Sequence, residues 1–454
     1  MSNIPIQPPK GTRDFLPEEM ALRRKVIEAI RRCFVLYGFV EIDSPVFEYF
    51  ELLSRKCGSE IEKEIYTFED KAKRKLGLRF EFTSPLGRYY ATNRDKLTKP
   101  FKRYAVGKVY RYENTQAGRY REFFQADADI IGSYGMEVEL ELLDLAVFTL
   151  ERLGFGDYVI ILNNRKILDG CVAAAGIGGD KKDPALRALD KFAKIGEKGV
   201  IKEFEENGIS GDKYKSFMNF TGHATGNAGH SLKEFKKGFE SLNIEGKIKT
   251  RALEGVEELL SLTDKAACAG LGHKIEYDPL LVRGLGYYTG PIFEIKSRDV
   301  NIGSFAAGGR YDNLVELYGA RPEGACGISF GVERMIDIIL QRDKEICGSL
   351  PPQVEMYLIY LSDNERDFAY KAAKSLRLKG IPTEMCVSGK GDISREIKYA
   401  VKKGIEYVGI IGEKEASEGK LSIKNLKTRE ERILTVEEII NLFPQYAFQK
   451  FYPQ

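Results

Sequence analysis

The chain lacks any uninterrupted run of the roughly 18 apolar residues that a bilayer-spanning helix needs, and its first residues, Met1-Ser-Asn-Ile-Pro-Ile-Gln-Pro-Pro-Lys-Gly-Thr-Arg-Asp14, carry no hydrophobic block of a secretory signal. No membrane role is expected, and the expected location is cytoplasmic. Cysteine is sparse and unpaired in pattern. Cys33, Cys57, Cys171, Cys268, Cys326, Cys347 and Cys386 form no C-x-x-C, and an odd count argues against a disulfide framework or a cysteine zinc site, so buried free thiols are expected. Only three histidines occur, His223, His230 and His273, without ligand spacing, so no metal site or catalytic role is assigned to them. A charge excess is also missing: 70 Lys plus Arg stand against 67 Asp plus Glu, which neither demands nor excludes a nucleic-acid partner. Neither a Walker A loop nor G-x-G-x-x-G is found. Ser388-Gly-Lys-Gly391 and Gly284-Leu-Gly286 fall short of those patterns and read as ordinary loops.

What the sequence does hold is ample material for a core: 454 residues, 43% apolar, are enough for two or three domains. Pro17 can open a helix in which Leu22, Val26 and Ile30 repeat until Gly38 stops it. A strand is expected over 39–45. From there to about Gly132, short apolar runs such as Phe101 to Tyr112 and Arg121 to Ile131 alternate with charged turns, predicting antiparallel strands with one polar face. Val138, Leu142, Leu145 and Leu150 mark a helix ending at Gly154, and Tyr158 to Leu162 reads as a strand. Over 170–274 the composition turns to Gly, Lys, Glu and Ala with helix-period fragments at Ala185 to Ile195 and Leu253 to Leu262, predicting a mainly helical insertion between two parts of one core, 1–169 and 275–346. Strand signals return at Ile292 to Lys296, and a helix follows Gly331. After a linker around Pro351-Pro352, residues 354–454 begin as βαβαβ, predicting a small α/β domain.

The chemistry is concentrated in Arg111-Tyr-Glu-Asn-Thr-Gln-Ala-Gly-Arg-Tyr-Arg121, a glycine-containing loop between two strand segments, with guanidiniums on both sides and Glu113 between them. Arginine presents planar, permanently charged donors that match phosphate oxygens. A solvated charged hairpin would look the same in isolation.

Other segments break that tie. Gly38-Phe-Val-Glu-Ile-Asp-Ser-Pro45, the arginine loop and Gly327-Ile-Ser-Phe-Gly-Val-Glu-Arg334 resemble, in order, motifs 1, 2 and 3 of class II aminoacyl-tRNA synthetases. Lys10-Gly-Thr-Arg-Asp14, Leu78-Arg-Phe-Glu-Phe-Thr83, Leu281-Val-Arg-Gly-Leu-Gly-Tyr-Tyr-Thr-Gly290 and Ala307-Gly-Gly-Arg-Tyr-Asp-Asn-Leu314 resemble the histidyl-tRNA synthetase family in particular. Ser394 to Ala400 and Ile411-Gly-Glu413 are similar to the anticodon-binding domain that follows this core. The resemblance implies an α+β catalytic domain on an antiparallel sheet, with a helical insertion and a C-terminal α/β anticodon-binding domain. It implies an enzyme that joins histidine to ATP as histidyl-adenylate and passes the histidyl group to its tRNA. Partners would be histidine, ATP with Mg2+, histidine tRNA and a second copy of the chain, since motif 1 forms the family's two-fold interface.

The same resemblance implies the roles of individual residues. Arg111 would hold the ATP α-phosphate and Arg334 the γ-phosphate, with Glu113 and Arg119 fixing the nucleotide. Arg283 would reach the α-phosphate from the opposite side, making Arg283, Arg111 and Gln125 the catalytic set. Glu81, Thr83 and Gln125 would take the substrate's amino and carboxylate groups. Asp129 and Tyr288, with Tyr287 beside them, would address the imidazole, whose one donor and one acceptor a carboxylate and a phenol can both satisfy. Gln116 and Arg121 would approach the tRNA acceptor end. Departures from the family pattern at Gly286, Phe124 and Phe80-Glu-Phe-Thr83 bear on pocket shape, while the polar anchors remain. Two rival functions share this core: a catalytically silent relative that senses histidine or uncharged tRNA, and a synthetase for another amino acid. Retention of all three arginines favours an active enzyme.

Overall fold

In the computed structural model, which describes residues 6–56, 62–115, 118–221, 226–282, 287–298, 300, 303–346, 354–387 and 392–444, the chain divides into two compact units, Met1–Lys344 and Glu345–Gln454. The first helix, α1 (Pro17–Leu36), starts on Pro17 and buries Leu22, Val26, Ile30, Cys33 and Phe34 along one stripe. It stops where Gly38 takes φ +76°, a left-handed conformation that suits glycine, and Phe39 N–H donates back to Phe34 O at 3.0 Å. The strand expected over 39–45 shrinks to β1 (Val40–Glu41). Past it, the Asp43 carboxylate takes the Ser44 amide and the Arg79 guanidinium, and Pro45 has no N–H to give, so pairing cannot continue.

A small antiparallel sheet follows, ordered β2 (Phe47–Tyr49), β4 (Lys75–Leu78), β3 (Thr67–Glu69), with the short α2 (Phe50–Ser54) in between in the chain. Within the region read as strands, residues 83–93 are a helix instead, α3 (Thr83–Asn93). Its first turn carries Pro85, and the Glu81 carboxylate accepts from the Thr83 and Ser84 amides at 2.7 and 2.8 Å, which satisfies two N–H groups that a helix start leaves over.

The main sheet has nine strands, with β5 (Phe101–Tyr110), β6 (Glu122–Ile131), β7 (Tyr158–Asn164), β8 (Gly226–Asn227), β9 (Ile275–Tyr277), β10 (Pro291–Ser297), β11 (Ser304–Arg310) and β12 (Ala325–Gly331) in the order β1-β5-β6-β12-β11-β10-β7-β9-β8. From β5 through β7 every pairing is antiparallel; the parallel pairs are β1 with β5 and β7 with β9. The helix α4 (Glu137–Arg152) and α1 cover one face, where Glu139 and Arg310 form a buried two-pronged pair at 2.6 and 2.7 Å. Side chains alternate across a strand, so Gln125, Asp127 and Asp129 of β6 point to the other face.

Among the described residues, six helices occupy the stretch expected to be helical: α5 (Arg165–Ala174), α6 (Lys182–Asp190), α7 (Phe192–Glu206), α8 (Gly211–Thr221), α9 (Ala228–Ser241) and α10 (Gly246–Cys268). The pattern read from Ala185 to Ile195 is split between α6 and α7, whose run is itself interrupted by Gly196 at φ +65°. The last helix of the unit is α11 (Val332–Arg342).

The second unit is a five-stranded sheet, β14 (Thr383–Met385), β13 (Met356–Tyr360), β15 (Tyr407–Ile411), β16 (Lys420–Asn425), β17 (Glu431–Thr435), parallel across its first three strands and antiparallel beyond. With α12 (Arg366–Leu378), α13 (Ile393–Lys402), α14 (Glu413–Glu418) and α15 (Val436–Asn441) it closes its own core around Leu358, Ile359, Leu376 and Val408. The α/β reading covered the parallel part; the closing hairpin is additional. Cys33, Cys171, Cys326 and Cys386 are buried thiols outside any disulfide, whereas Cys268 at the end of α10 is exposed, contrary to expectation; Cys57 and Cys347 lie outside the described residues.

Candidate active site

The face left open by α1 and α4 is paved with small residues. Across the register, Gln125 sits opposite Gly107 and Gly331, Asp127 opposite Ala105 and Ser329, and Asp129 opposite Arg103 and Gly327. Gly327 in turn pairs with Gly309. A Cβ on Gly327 would lie 2.0 Å from the Asp129 Oδ1, and one on Gly308 would lie 2.0 Å from the Gly327 carbonyl, so close approach itself requires glycine there. The result is a sheet face of small residues from which a few polar side chains project.

At one end lie the guanidiniums of the arginine loop. Antiparallel pairing ends at Tyr110 opposite Glu122, and Arg111 N–H donates to Arg121 O at 2.9 Å, so the loop starts as the sequence suggested. Arg111 Nε donates to Phe80 O at 2.9 Å, Arg119 pairs with Glu113 at 3.4 Å, and Arg334, from the first turn of α11, donates to Ser304 O at 2.9 Å. Burial, then the charges of Arg119 and Arg111, pull the Arg334 guanidinium below its ordinary value, with Glu294 and Glu113 opposing. Cations that crowd one another in a partly dry site are arranged for an anion. Arg121 turns away: its Nε donates to Glu113 O at 3.2 Å and its guanidinium lies over Tyr112. The entry segment braces this loop, because Gly11 O accepts from Arg121 N–H at 2.8 Å and a Cβ on Gly11 would meet the Arg121 side chain at 2.7 Å.

At the other end the groups become acidic. Glu81 is buried and paired with Lys56 at 2.8 Å. Burial would raise its carboxyl, but the Lys56 ammonium and the hydrogen bonds from Lys56, Ser84 and Thr83 prevail and hold it at about 2. Thr83 enters through its amide. The Gln125 side-chain oxygen is buried with no hydrogen-bond partner among the described residues. Asp129 meets Arg103 at 2.6 Å, and the Tyr311 hydroxyl donates to its other oxygen. Asp127 accepts from Ser329 at 2.6 Å, and burial followed by the Asp129 charge pushes its carboxyl up to about 7. Tyr287 and Tyr288 stand with ring centres 4.6 Å apart; Tyr287 also meets Tyr311 edge-on and lies under the Lys56 ammonium at 4.3 Å. Tyr288 is buried.

The structure thus gathers Arg111, Glu113, Arg119 and Arg334 at one end and Glu81, Thr83, Gln125, Asp129, Tyr287 and Tyr288 at the other. Arg283, Gly286 and Gln116 lie outside the described residues. Sequence reasoning missed Lys56, Arg103, Asp127 and Tyr311. Tyr311 stood inside the quoted Ala307 to Leu314 motif and Asp127 two residues before Asp129, both visible signals. Lys56 had none, since only folding brings it to Glu81.

A largely antiparallel sheet that sets a cluster of mutually crowded arginines beside a row of buried carboxyl groups has the arrangement of a class II aminoacyl-tRNA synthetase core. The family model for histidyl-tRNA synthetase matches residues 11–335, and that for the anticodon-binding domain matches residues 355–446. Histidine–tRNA ligase of Aeropyrum pernix is 38% identical over 420 residues, 92% of this chain and 93% of that protein, and that of Pyrococcus horikoshii is 34% identical over 436 residues, 95% and 97%. The crystal structure of histidyl-tRNA synthetase from Nostoc sp. PCC 7120 superposes with a TM-score of 0.77 at 28% identity, covering 97% of this chain and 100% of that one. A Bacillus halodurans protein described as an ATP phosphoribosyltransferase regulatory subunit/histidyl-tRNA synthetase shares the fold, with a TM-score of 0.71 at 20% identity over 90% and 99% of the two chains. The chain belongs to the histidyl-tRNA synthetase family, and it activates histidine with ATP and transfers the histidyl group to histidine tRNA.

Proposed function

We propose that both substrates of the activation step lie on the small-residue face, ATP toward Arg111, Arg119 and Arg334 and histidine toward Glu81, Gln125 and Asp129. The histidine carboxylate attacks the α-phosphorus, the bond to the bridging oxygen breaks, and pyrophosphate leaves. The nucleophile is already ionised, so what the protein supplies is positive charge where phosphoryl oxygens gain negative charge. Arg111 and, by the family resemblance, Arg283 act at the α-phosphate and Arg334 at the γ-phosphate, while Glu113 orients Arg119. Glu81, kept ionised, and the Gln125 oxygen accept from the α-ammonium. Asp129 and Tyr288 take the two ring nitrogens, with Tyr287 packed beside them. In the second step the terminal ribose hydroxyl of the tRNA attacks the adenylate carbonyl and AMP leaves, near Arg121 and Gln116.

Mg2+ enters with the phosphates of ATP as their counter-ion; among the described residues no trio of His, Cys, Asp or Glu is gathered to hold a metal. Residues 354–454 contribute anticodon contacts, 170–274 form an insertion in the core made of 1–169 and 275–346, and the enzyme works in the cytoplasm as a homodimer. No helix among the described residues is long and apolar enough to cross a membrane.

The observation that carries the phosphate assignment is the mutual crowding of Arg334, Arg119 and Arg111. Arg334→Ala should raise KM for ATP in pyrophosphate exchange and reduce kcat/KM by roughly 100-fold or more, as loss of one charged donor does, while histidine binding measured without ATP stays within error. Exchange assayed across the amino acids should respond to histidine alone. An Arg334→Ala enzyme with parental ATP kinetics would remove the γ-phosphate assignment.

A further inference from the structure

We propose that Arg103 is a positioning residue for substrate specificity: from the strand next to Asp129 it keeps that carboxylate charged and aimed into the pocket, so that the site reads the imidazole rather than its shape. The proposal rests on the assignment of Asp129 to the ring. Arg103 and Asp129 are direct cross-strand partners, and their side chains are 1% and 5% exposed. Their 2.6 Å contact is one of charge, since neither Arg103 Nη2 nor Asp129 Oδ2 has a hydrogen-bond partner among the described residues; Arg103 Nε has none either. The other Asp129 oxygen is taken by Tyr311 and lies directly over Gly327. The carboxylate is thereby fixed on one side while Oδ2 retains accepting capacity.

A purely structural pair would need no second acid nearby, yet this one has two. Asp127 stands two residues before it on the same face, and Glu81, matched by Lys56, also acts on Asp129; Tyr311 and the buried Cys326 thiol are further titratable neighbours among the described residues. Burial pushes the Asp129 carboxyl up, and Arg103 followed by Tyr311 opposes that rise. Among the described residues Arg103 is the main cation acting on both carboxyls, with Lys56 adding at Asp129. Without Arg103 the buried Asp129 carboxylate loses its main compensating charge and takes up a proton more readily. A protonated Asp129 no longer offers the ring N–H a charged acceptor, and the imidazole is left with weaker neutral hydrogen bonds.

The test is pyrophosphate exchange by Arg103→Met, Arg103→Lys and Asp129→Ala between about pH 6 and 9, each expressed relative to the parent so that histidine's own titration near 6.5 cancels. Arg103→Met should raise KM for histidine by roughly 10- to 100-fold while KM for ATP stays within about two-fold. That penalty should shrink as pH rises, because base restores the Asp129 charge. Arg103→Lys should recover most of the loss, since an ammonium supplies the same charge. If the methionine variant does not fold, Arg103→Gln, neutral but polar, carries the same expectations. An unchanged histidine KM, or a rise shared equally with ATP and flat in pH, overturns the proposal. Should Asp129→Ala itself leave histidine use untouched, the ring assignment fails instead, and the two failures are told apart by that variant.

Discussion

Asp127 shows how a residue on the floor of a site can act against the stability of the fold. Its carboxyl is pushed up to about 7 by burial and by Asp129, so the folded state holds this proton more tightly than the unfolded chain, where an aspartate titrates near 3.9. Linkage then gives the sign: as pH climbs from about 4 to 7, the unfolded state loses the proton first, and the folded state becomes progressively less favoured. Asp127→Asn removes this dependence while leaving an acceptor for the Ser329 hydroxyl. We expect its melting temperature, compared with the parent, to be higher at pH 8 than the same comparison gives at pH 5. An equal difference at both pH values would mean that Asp127 does not titrate in that range. Legibility at this scale followed the strand rule. Gln125 and Asp129 came from the family resemblance, and Asp127 shares their face because alternate residues do. Arg103 was equally within reach: seven residues back from Tyr110 faces seven on from Glu122, which is Asp129. Lys56 was beyond reach, since nothing local in the sequence ties it to Glu81.

Elements meet at Glu333. It stands beside Arg334 in the first turn of α11, where the helix dipole favours a carboxylate. There it takes both terminal nitrogens of Arg23 from α1 at 2.7 and 2.5 Å, Arg13 of the entry segment at 2.7 Å, and the Phe124 amide of β6 at 3.1 Å. Arg13 also stacks on Tyr120, whose hydroxyl donates to Asp337 one turn further along α11. The segment Lys10 to Asp14, a family signature in the sequence, thus has a mechanical reason: it ties the arginine loop to the helix that carries Arg334. Glu333→Ala would leave Arg23 buried without its partner, an arrangement that typically costs about 3 to 5 kcal/mol, readable as a lowered urea midpoint at unchanged slope. A loss below about 1 kcal/mol, the range of an exposed pair, would show that the cluster is incidental. The elements that sequence patterns mistook have local causes of this kind. Residues 83–93 became helix because the Glu81 side chain satisfies its first amides, and 43–45 leave the sheet, after a last bond from Ile42 N–H to Tyr104 O, because Asp43 and Pro45 disrupt pairing.

For the whole molecule, composition and motif order indicated a catalytic core followed by a separate α/β unit, but assembly depends on surfaces that no periodicity describes. The first unit leaves Val35, Leu36, Val40, Val46, Phe47, Tyr49 and Phe68 exposed around the end of α1 and the small sheet, with Phe47 and Phe68 already edge-on at 6.1 Å. Apolar groups collected this way mark an interaction surface, and a closed two-fold contact is the commonest way to cover one. Motif 1 lies in the same patch, which supports the proposed homodimer. The patch is also mechanically close to the pocket: β2 pairs with β4, and three residues beyond the end of β4 the chain reaches Glu81, while Glu48 of β2 holds Arg88 of α3 at 2.6 Å. Losing the partner should therefore loosen the amino-acid site as well as halve the mass. We expect a dimer by sedimentation at micromolar concentration, and Phe47→Glu, which places a charge where apolar surface would be buried, should shift it toward monomer and raise KM for histidine more than KM for ATP. Dilution of the parent enzyme should lower exchange activity per chain in the same direction. A parent chain that sediments as a monomer while activating histidine at full rate would refute both the interface and its coupling to Glu81.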